Sequence, residues 1–309
     1  MHRLYFHMVG LACVALFNTS AFGSVIAAST LLSDFNTVIF SNATTSADIE
    51  GAAIIGGNFS GATVYNNPKS VALPTSFNAL NVYGNTSGNP INMNNGGNAY
   101  VGGTHGETIN FNGGGHYNSV PSTSMSTIQN ELTSLSGSLS TLLANSYFPA
   151  SGNNEVITAT PNSAGLAVFD VTSSQLSSIP SYSFDLNGAS TVIINVSGPS
   201  LDFTANYEGN DSADSDILWN FYQATSLDFN TLIGGSILAP DASVTNNNQI
   251  DGTLVAQSWT GQGELHEYGF DGTLPSQTPS QTPEPASIVL FALGLISFGL
   301  LARRNLRQQ

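Results

Sequence analysis

Residues 227–272 read LDFNTLIGGSILAPDASVTNNNQIDGTLVAQSWTGQGELHEYGFDG and contain the pattern that decides the fold. Three short apolar runs, at residues 231–239, 249–256 and 264–270, are separated by Asn, Asp, Gly, Pro and Ser. Runs of this length between turn-forming residues predict short strands. Their even spacing and small or branched side chains suit a β-solenoid, in which each coil buries a thin slice of core against its neighbours.

The same pattern occurs near the start of the chain, where residues 48–64 read DIEGAAIIGGNFSGATV. We expect both stretches to be coils of one body. Residues 121–146 differ, because apolar side chains recur there at spacings of three and four, the stripe of an amphipathic helix. The stripe comprises Met125, Ile128, Leu132, Leu135, Leu139, Leu142 and Leu143. The predicted fold is mostly β: a β-solenoid-like domain of short stacked strands with one long helix packed alongside.

Shorter apolar runs predict the remaining elements of the body. Residues 31–40 are expected to form a short helix or strand, and residues 175–179 a helical turn. Continuous apolar character at residues 191–196 indicates a strand that is buried on both faces. Further strands are predicted at residues 81–83, 91–93, 99–101, 108–111, 155–160 and 166–171.

Several short motifs, in order along residues 31–274, resemble the bacterial choice-of-anchor A family. They are DIEGAAIIGGN (48–58), IINVSG (193–198), LWNF (218–221), GSILAPDA (235–242) and GELHEYGFDG (263–272). The resemblance implies an adhesive domain that is displayed at the cell surface on different anchors. It brings no catalytic residues with it.

Composition excludes some partners. Between Ser24 and Pro283 the chain has one base, Lys69, against 19 acidic residues. Nucleic acid binding needs clustered Lys or Arg to neutralise phosphates, so nucleic acid is not an expected partner. The one cysteine, Cys13, lies in the N-terminal apolar run, which leaves the remaining body without a disulfide or a cysteine metal site.

The two ends of the chain carry targeting patterns. Residues 1–23 are predicted to be a signal peptide, with a charged start, an apolar core and a small-residue cleavage pattern. Residues 24–275 then form the adhesive domain, and residues 276–285 a Pro/Ser/Thr linker. Residues 286–309 comprise an apolar segment of a length suited to a transmembrane helix, followed by a basic tail.

This C-terminal arrangement closely resembles the PEP-CTERM sorting signal of Gram-negative bacteria. The matching residues are Pro283, Glu284 and Pro285 and, after the apolar segment, Arg303 and Arg304. The resemblance implies cleavage by an exosortase-type membrane enzyme. It also implies transient anchoring in the inner membrane through the C-terminal helix, followed by delivery to the cell envelope, cell surface or extracellular matrix.

The best metal candidate is an acidic loop. Glu208, Asp211, Asp214 and Asp216 offer four carboxylates within nine residues, the hard oxygen ligands that Ca²⁺ prefers. The spacing is not that of an EF-hand, and a solvated loop is the alternative. Calcium is therefore the one candidate cofactor.

A second cluster lies in the closing motif. Glu264 and His266 share one face of a strand, and Glu267 points to the other. This cluster could serve a metal, an acid/base pair or the architecture of the closing coil, the role that the family resemblance favours.

Three classes of function remain open. The first is a non-enzymatic adhesin or biofilm matrix component that binds an extracellular polysaccharide or another surface ligand. The second is an ice- or crystalline-surface-binding solenoid, which would need a flat face of ranked Thr side chains, although no sustained Thr-x-Thr pattern occurs in the strands. The third is a carbohydrate-active enzyme with paired carboxylates in a groove. No nucleophile elbow, zinc helix or phosphate loop is present in the sequence, so we expect no catalytic residues.

Overall fold

A computed structural model describes residues 26–69, 72–209 and 211–275, without the side chains of residues 211 and 212. The predicted signal peptide, the linker and the sorting signal all lie outside these residues. Within them, none of the helices is both long and apolar enough to cross a membrane.

The first half of the described chain contains two helices and nine strands. In chain order they are α1 (Ala28–Asp34), β1 (Thr37–Ile39), β2 (Ala43–Thr45), β3 (Ala53–Ile55), β4 (Phe59–Ser60), β5 (Thr63–Val64), β6 (Leu80–Val82), β7 (Ile91–Met93), β8 (Ala99–Val101), β9 (Ile109–Phe111) and α2 (Met125–Leu139). Glycine and asparagine fill the corners between strands, because both tolerate the positive φ angles of tight turns. Examples are Asn95 at +52° and Gly96 at +73°.

The second half contains longer strands and two single-turn helices. They are β10 (Glu155–Thr158), β11 (Leu166–Thr172), α3 (Ser173–Leu176), β12 (Ser181–Asp185), β13 (Thr191–Ser197), β14 (Ser200–Phe203), β15 (Asn206–Tyr207), α4 (Asp211–Asp214), β16 (Ile217–Asn220), β17 (Ser226–Phe229), β18 (Ile233–Gly234), β19 (Ser236–Asn246), β20 (Ile250–Asp251), β21 (Leu254–Gly261) and β22 (Leu265–His266).

All strands pair in parallel, and their order shows how the chain winds. One sheet runs β11-β13-β16-β19-β21-β1-β3-β6-β8, so the chain enters the stack in its middle and coils outward to β8. It then crosses through α2 to the other end and coils back until β21 pairs with β1. The two stretches identified from the sequence therefore meet, as Ile49 bridges Leu265.

The coils present three faces, which we name by their strands. The helix face comprises β11, β13, β16, the first halves of β19 and β21, β1, β3, β6 and β8. The ranked face comprises β14, β17, the second halves of β19 and β21, β2 and β4. The lateral face comprises the three-stranded sheets β10-β12-β15, β18-β20-β22 and β5-β7-β9.

Helix α2 covers the helix face. Its buried stripe is Ile128, Leu132, Leu135 and Leu139, and each such burial contributes about 1.5–3 kcal/mol. The helix is rich in Ser and Thr, which have modest helix propensity, so docking must supply most of its stability. Ser124 caps the start, its Oγ accepting from the Thr127 N–H at 3.2 Å.

Two buried asparagines fix how the helix sits. Ser136 Oγ donates to Asn220 Oδ1 at 2.6 Å, and Asn220 Nδ2 donates to the Ser136 carbonyl at 3.0 Å. Asn220 Nδ2 also donates to Asn195 Oδ1 at 2.8 Å, and Asn195 Nδ2 donates to the Leu139 carbonyl at 2.9 Å. A buried amide is costly without partners, so this network penalises any other register of the helix.

The seam between the two halves is closed by side chains that bond across it. Thr253 Oγ1 lies within donating distance of the carbonyls of Leu32 (2.7 Å) and Phe35 (2.8 Å). Asn36 Nδ2 donates to the carbonyls of Gly252 and His266 at 3.0 and 2.9 Å. The last coil is thus locked onto the first, although more than 200 residues separate them along the chain.

The structure confirms the predicted fold class and corrects some local assignments. The helix predicted within residues 121–146 is α2, and residues 31–40 contain the end of α1 followed by β1. The main correction concerns residues 240–246, which were expected to be turns but continue β19. Pro240 is tolerated there because the register with β21 shifts between Ala239 and Ser243, where the strand passes from one face to the next.

Candidate adhesive surface

The ranked face is a parallel sheet built on an aromatic core. Its inward side chains include Phe203, Phe229, Phe59 and Trp259, which are all buried. The rings of Phe203 and Phe229 lie 5.9 Å apart, and Trp259 Nε1 donates to Asn246 Oδ1 at 2.8 Å. Large, anchored rings beneath each strand hold the backbone in place, which keeps the outer side chains regularly spaced.

The outward side chains form two rows across the strands, which we call rank one and rank two. The strand registers align most members of each rank, and the bridge between Phe59 and Thr86 together with hydrogen bonds between neighbouring coils places Asn42, Asn58, Asn85 and Ser87. All are exposed or half-buried. Rank one is Ser200, Ser226, Ser243, Ser258, Asn42, Asn58 and Asn85. Rank two is Asp202, Asp228, Thr245, Thr260, Thr44, Ser60 and Ser87.

Hydrogen bonds between neighbouring coils stiffen this surface. Thr245 Oγ1 donates to Asp228 Oδ1 at 2.7 Å, and Ser258 Oγ donates to Ser243 Oγ at 3.1 Å. Beside rank two, Asn230 Nδ2 donates to Asp202 Oδ1 at 2.8 Å. Side chains that are already ordered lose less entropy when they bind, so the face is suited to recognition without rearrangement.

The ranked face has the chemistry of a hydrogen-bonding lattice. Neighbouring strands place equivalent side chains about 4.8 Å apart, and successive outward residues repeat about every 6.6–6.8 Å along a strand. The ranks contain hydroxyl, amide and carboxylate groups and no Lys or Arg. Such a surface can match the repeating hydroxyl groups of a polymer, or the ordered molecules of a crystal, over many weak contacts.

The sequence did not reveal this surface, because the ranks run across coils. Equivalent positions are 17 residues apart between Asp228 and Thr245, and 15 apart between Ser243 and Ser258. A search along each strand for Thr-x-Thr misses such a rank. Threonine occupies three adjacent positions, Thr245, Thr260 and Thr44, within a rank that is otherwise Asp and Ser.

The predicted calcium ligands do not share one orientation. Glu208 is exposed, whereas Asp214 is fully buried and accepts a 2.5 Å hydrogen bond from the Tyr207 hydroxyl. Burial, reinforced by Asp271, raises the pKa of Asp216. In the part of the chain that the structure describes, no three His, Cys, Asp or Glu side chains are grouped so as to hold a metal ion. Because the Asp211 side chain lies outside that part, the calcium site stays a prediction.

The Glu264–His266 pair lies together on the lateral face, as the sequence indicated. His266 Nδ1 is 2.8 Å from Asp251 Oδ1, and its Nε2 is 3.3 Å from Glu264 Oε2. The hydrogen bond to Asp251 raises the pKa of His266 to about 9 against the opposing effect of burial, with further support from Glu264 and Glu50. A charged imidazole between two carboxylates ties the last two coils together.

Glu267 points to the other side of the strand, where it is enclosed at the seam. Its Oε2 is buried and has no hydrogen-bond partner among the described residues. Burial raises the pKa of Glu267 to about 8, although Lys69 opposes the shift. Lys69 Nζ donates to the Gly269 carbonyl at 3.1 Å and pairs with Asp271 at 3.5 Å. The body's one base therefore holds the C-terminal segment in place.

Together, these features define a β-solenoid with a polar surface whose side chains are ordered by hydrogen bonds between coils. The chain matches the ice-binding-like adhesive domain over residues 28–267, and it belongs to that family. A second match, over residues 281–305, is the PEP-CTERM protein-sorting motif, which marks an exported protein that an exosortase sorts to the cell surface. The resemblance to the choice-of-anchor A family is compatible with these matches and stays a prediction. No curated protein sequence matches the chain.

Solved structures with a similar fold include three ice-binding proteins. One, from an Antarctic bacterium of the Flavobacteriaceae, is 19% identical, with a TM-score of 0.36. The match covers 75% of this chain and 61% of that protein. A glycosylated protein from an Arctic yeast is 9% identical, with coverages of 84% and 99% and a TM-score of 0.37. A domain from Shewanella frigidimarina is 13% identical, with coverages of 81% and 99% and a TM-score of 0.35. Likeness at this level says nothing about what the present chain binds.

Proposed function

We propose that this protein is a non-enzymatic adhesin or extracellular matrix component that binds a polysaccharide or another extended surface through the ranked face. The observation that carries the proposal is the pair of ranks, which repeats polar groups from strand to strand across one parallel sheet. Many weak, regularly placed contacts add up only on a ligand that is itself repetitive. The strongly acidic body favours a neutral polymer over an anionic one.

The sorting signal completes the proposal. An exosortase-type enzyme would cleave near Pro283, Glu284 and Pro285 after export, with the apolar segment and the basic residues Arg303 and Arg304 holding the precursor in the inner membrane. Release or attachment at the surface of a Gram-negative cell would follow. Calcium remains a candidate cofactor of the acidic loop rather than of the ranked face.

An ice- or crystalline-surface-binding role is the second candidate. The observation in its favour is the run of Thr245, Thr260 and Thr44 on three adjacent strands, since a crystal lattice selects identical side chains at equal spacing. Against it, Asp202 and Asp228 extend the same rank with charged groups. A carbohydrate-active enzyme would need carboxylates that oppose each other across a groove, and these two carboxylates lie side by side on neighbouring strands of one sheet.

The decisive experiment is a co-sedimentation assay of the exported protein with neutral and acidic insoluble polysaccharides, with and without Ca²⁺, alongside partition into growing ice. We expect binding to at least one neutral polymer and a roughly tenfold weaker affinity for Thr260→Tyr, because a bulky ring lifts the ligand off rank two. The matched control is Thr133→Tyr on the exposed side of α2, which should bind like the wild type. Partition into ice alone would select the second candidate, and release of reducing sugar ends would overturn both.

A further inference from the structure

The two ends of the solenoid differ from the rest of its surface. Among the described residues, the large apolar side chains that are exposed lie only at these ends. At the β8–β9 end they are Tyr117 (43% exposed) and Val120 (58%). At the β10–β11 end they are Leu143 (91%), Tyr147 (76%) and Val156 (60%). Exposed apolar side chains collected in particular places, rather than scattered singly, are typical of interaction surfaces.

Each end also presents an edge strand on the lateral face. The Ile91 N–H donates to the Thr108 carbonyl, and the Asn112 N–H donates to the Met93 carbonyl, so alternate residues of the β9 segment bond to β7. The peptide groups of Ile109 and Phe111 therefore point out of the stack. At the opposite end the Ala159 N–H donates to the Asp185 carbonyl, which turns the peptide groups of Val156 and Thr158 on β10 outward in the same way.

The caps over the two ends leave these edges accessible. Tyr117 stacks on His105 with ring centroids 4.6 Å apart and meets Phe111 edge-on at 5.0 Å, covering the interior of the last coil. At the other end Asn145 and Ser146 bond to the Val168 carbonyl, which shields β11 on the helix face. Both caps protect the core, but within the described part of the chain no strand pairs with the outer edge of β9 or β10.

From this geometry we infer that the protein assembles end to end with further copies of itself, β9 of one copy pairing in parallel with β10 of the next. Every strand of the stack is parallel, and β9 and β10 are the outermost strands of the same face. A copy displaced along the solenoid axis would thus continue the ladder without a change of direction. Because the contact joins unlike ends, it repeats and builds a filament rather than a closed dimer.

The ionisable groups disfavour contact between two β10–β11 ends. Glu155 on β10 is half-buried and Asp170 on β11 is exposed. At the β9 end the half-buried Glu107 is accompanied by the exposed His105 and His116. Two β10–β11 ends would bring four of these carboxylates together, whereas a β9 end facing a β10–β11 end brings three. Such a filament would carry the ranked faces of its members in one repeating array.

Engineered cysteines provide the test, because the chain's one cysteine, Cys13, lies in the predicted signal peptide. In the exported protein, Asn110→Cys on β9 and Val156→Cys on β10 would be about 4.8 Å apart across the proposed contact, within disulfide range. Within one molecule, β10 and β9 are the first and the last of the nine strands on the lateral face, so the two residues lie roughly 38 Å apart. Oxidation of the double variant should give a ladder of multimers on a non-reducing gel.

The single variants serve as matched controls. Each alone should give little cross-linking, and an equimolar mixture of the two should stop at dimers. A second pair, Asn112→Cys with Thr158→Cys, tests the same edges if the first disturbs folding.

Sedimentation of the cysteine-free exported protein provides a second measurement and should show multimers. The Val156→Lys variant should form fewer multimers than this protein, and Ser134→Lys on α2 should form as many. A monomer at all concentrations, or ladders from a single variant as strong as from the pair, would overturn the inference.

Discussion

The helix face and the ranked face are made partly from the same strands, yet they bury their outer side chains differently. In β19 the first five residues are all buried, whereas the next six alternate between exposed and buried. The first half lies between the core and α2, and the second half lies between the core and solvent. In one strand, packing against α2 therefore restricts the outer residues of the first half to buried side chains, whereas the outer residues of the second half are exposed and available for binding.

The helix face should therefore be the more sensitive to substitution, and Leu132→Ala should show the largest effect. Leu132 is fully buried on the inner side of α2, so truncation leaves a cavity and should lower the free energy of unfolding by about 3 kcal/mol. Chemical denaturation measures it. Thr133→Ala, on the exposed side of the same turn, should change stability by less than about 0.5 kcal/mol. Equal effects would mean that α2 is not docked through this stripe.

The polar network under the helix should come next. Asn220→Ala leaves Ser136 Oγ and Asn195 Oδ1 without their amide partner in a buried site, at a cost of about 2 kcal/mol. Because Ser136→Ala removes the other side of one bond, the double variant should lose less than the sum of the two single variants. Strict additivity in denaturation experiments would contradict the network as drawn.

A pH-dependent effect of similar size is expected on the lateral face. The pKa of His266 is raised to about 9, so the protonated imidazole stabilises the fold fully below the ordinary value near 6.5 and loses this contribution as the pH rises through 9. We expect stability to fall by about 2 kcal/mol over this window. In His266→Gln this part of the slope should disappear.

The buried carboxyl of Glu267 contributes in the same direction. Its pKa is raised to about 8, mainly by burial, so stability should also fall from about pH 4.5 to 8. Glu267→Gln should flatten that earlier window and leave the histidine window in place. Melting curves across pH for the two variants separate the contributions. A wild-type stability that rises with pH between 6.5 and 9 would contradict both assignments.

The sequence predicted the helix face better than the ranked face, and the reason is physical. Apolar periodicity is local, so the stripe of α2 and the continuous apolar run of β13 could be recognised directly. Asn195 and Asn220 lie within such runs, but their partners come from a helix 56 and 84 residues earlier in the chain, which no local pattern reveals. The parallel coils themselves were predictable, but the order in which they stack was not.

The ranked face escaped prediction for a related reason. Its members, such as Ser226, Ser243 and Ser258, are residue types that are common in loops, so their sequence context does not mark them. They form a row only because strand pairing aligns them. The acidic loop shows the opposite case. Four carboxylates close together in sequence suggested one site, but the fold turns Asp214 into the core toward Tyr207 and leaves Glu208 outside. Proximity along the chain does not fix a common orientation.

The smallest effect on stability is expected on the ranked face, where it should be the most informative. Thr260 and Val255 both lie in β21, the first exposed on the ranked face and the second fully buried on the helix face. Val255→Ala should lower the unfolding free energy by about 1–3 kcal/mol, whereas Thr260→Ala should change it by less than about 0.5 kcal/mol. For retention on a bound polymer the order should reverse, because only Thr260 faces the ligand. Denaturation and co-sedimentation on the same two variants test this. If Thr260→Ala binds as well as the wild type while the bulkier Thr260→Tyr also binds normally, the ranked face is not the adhesive surface.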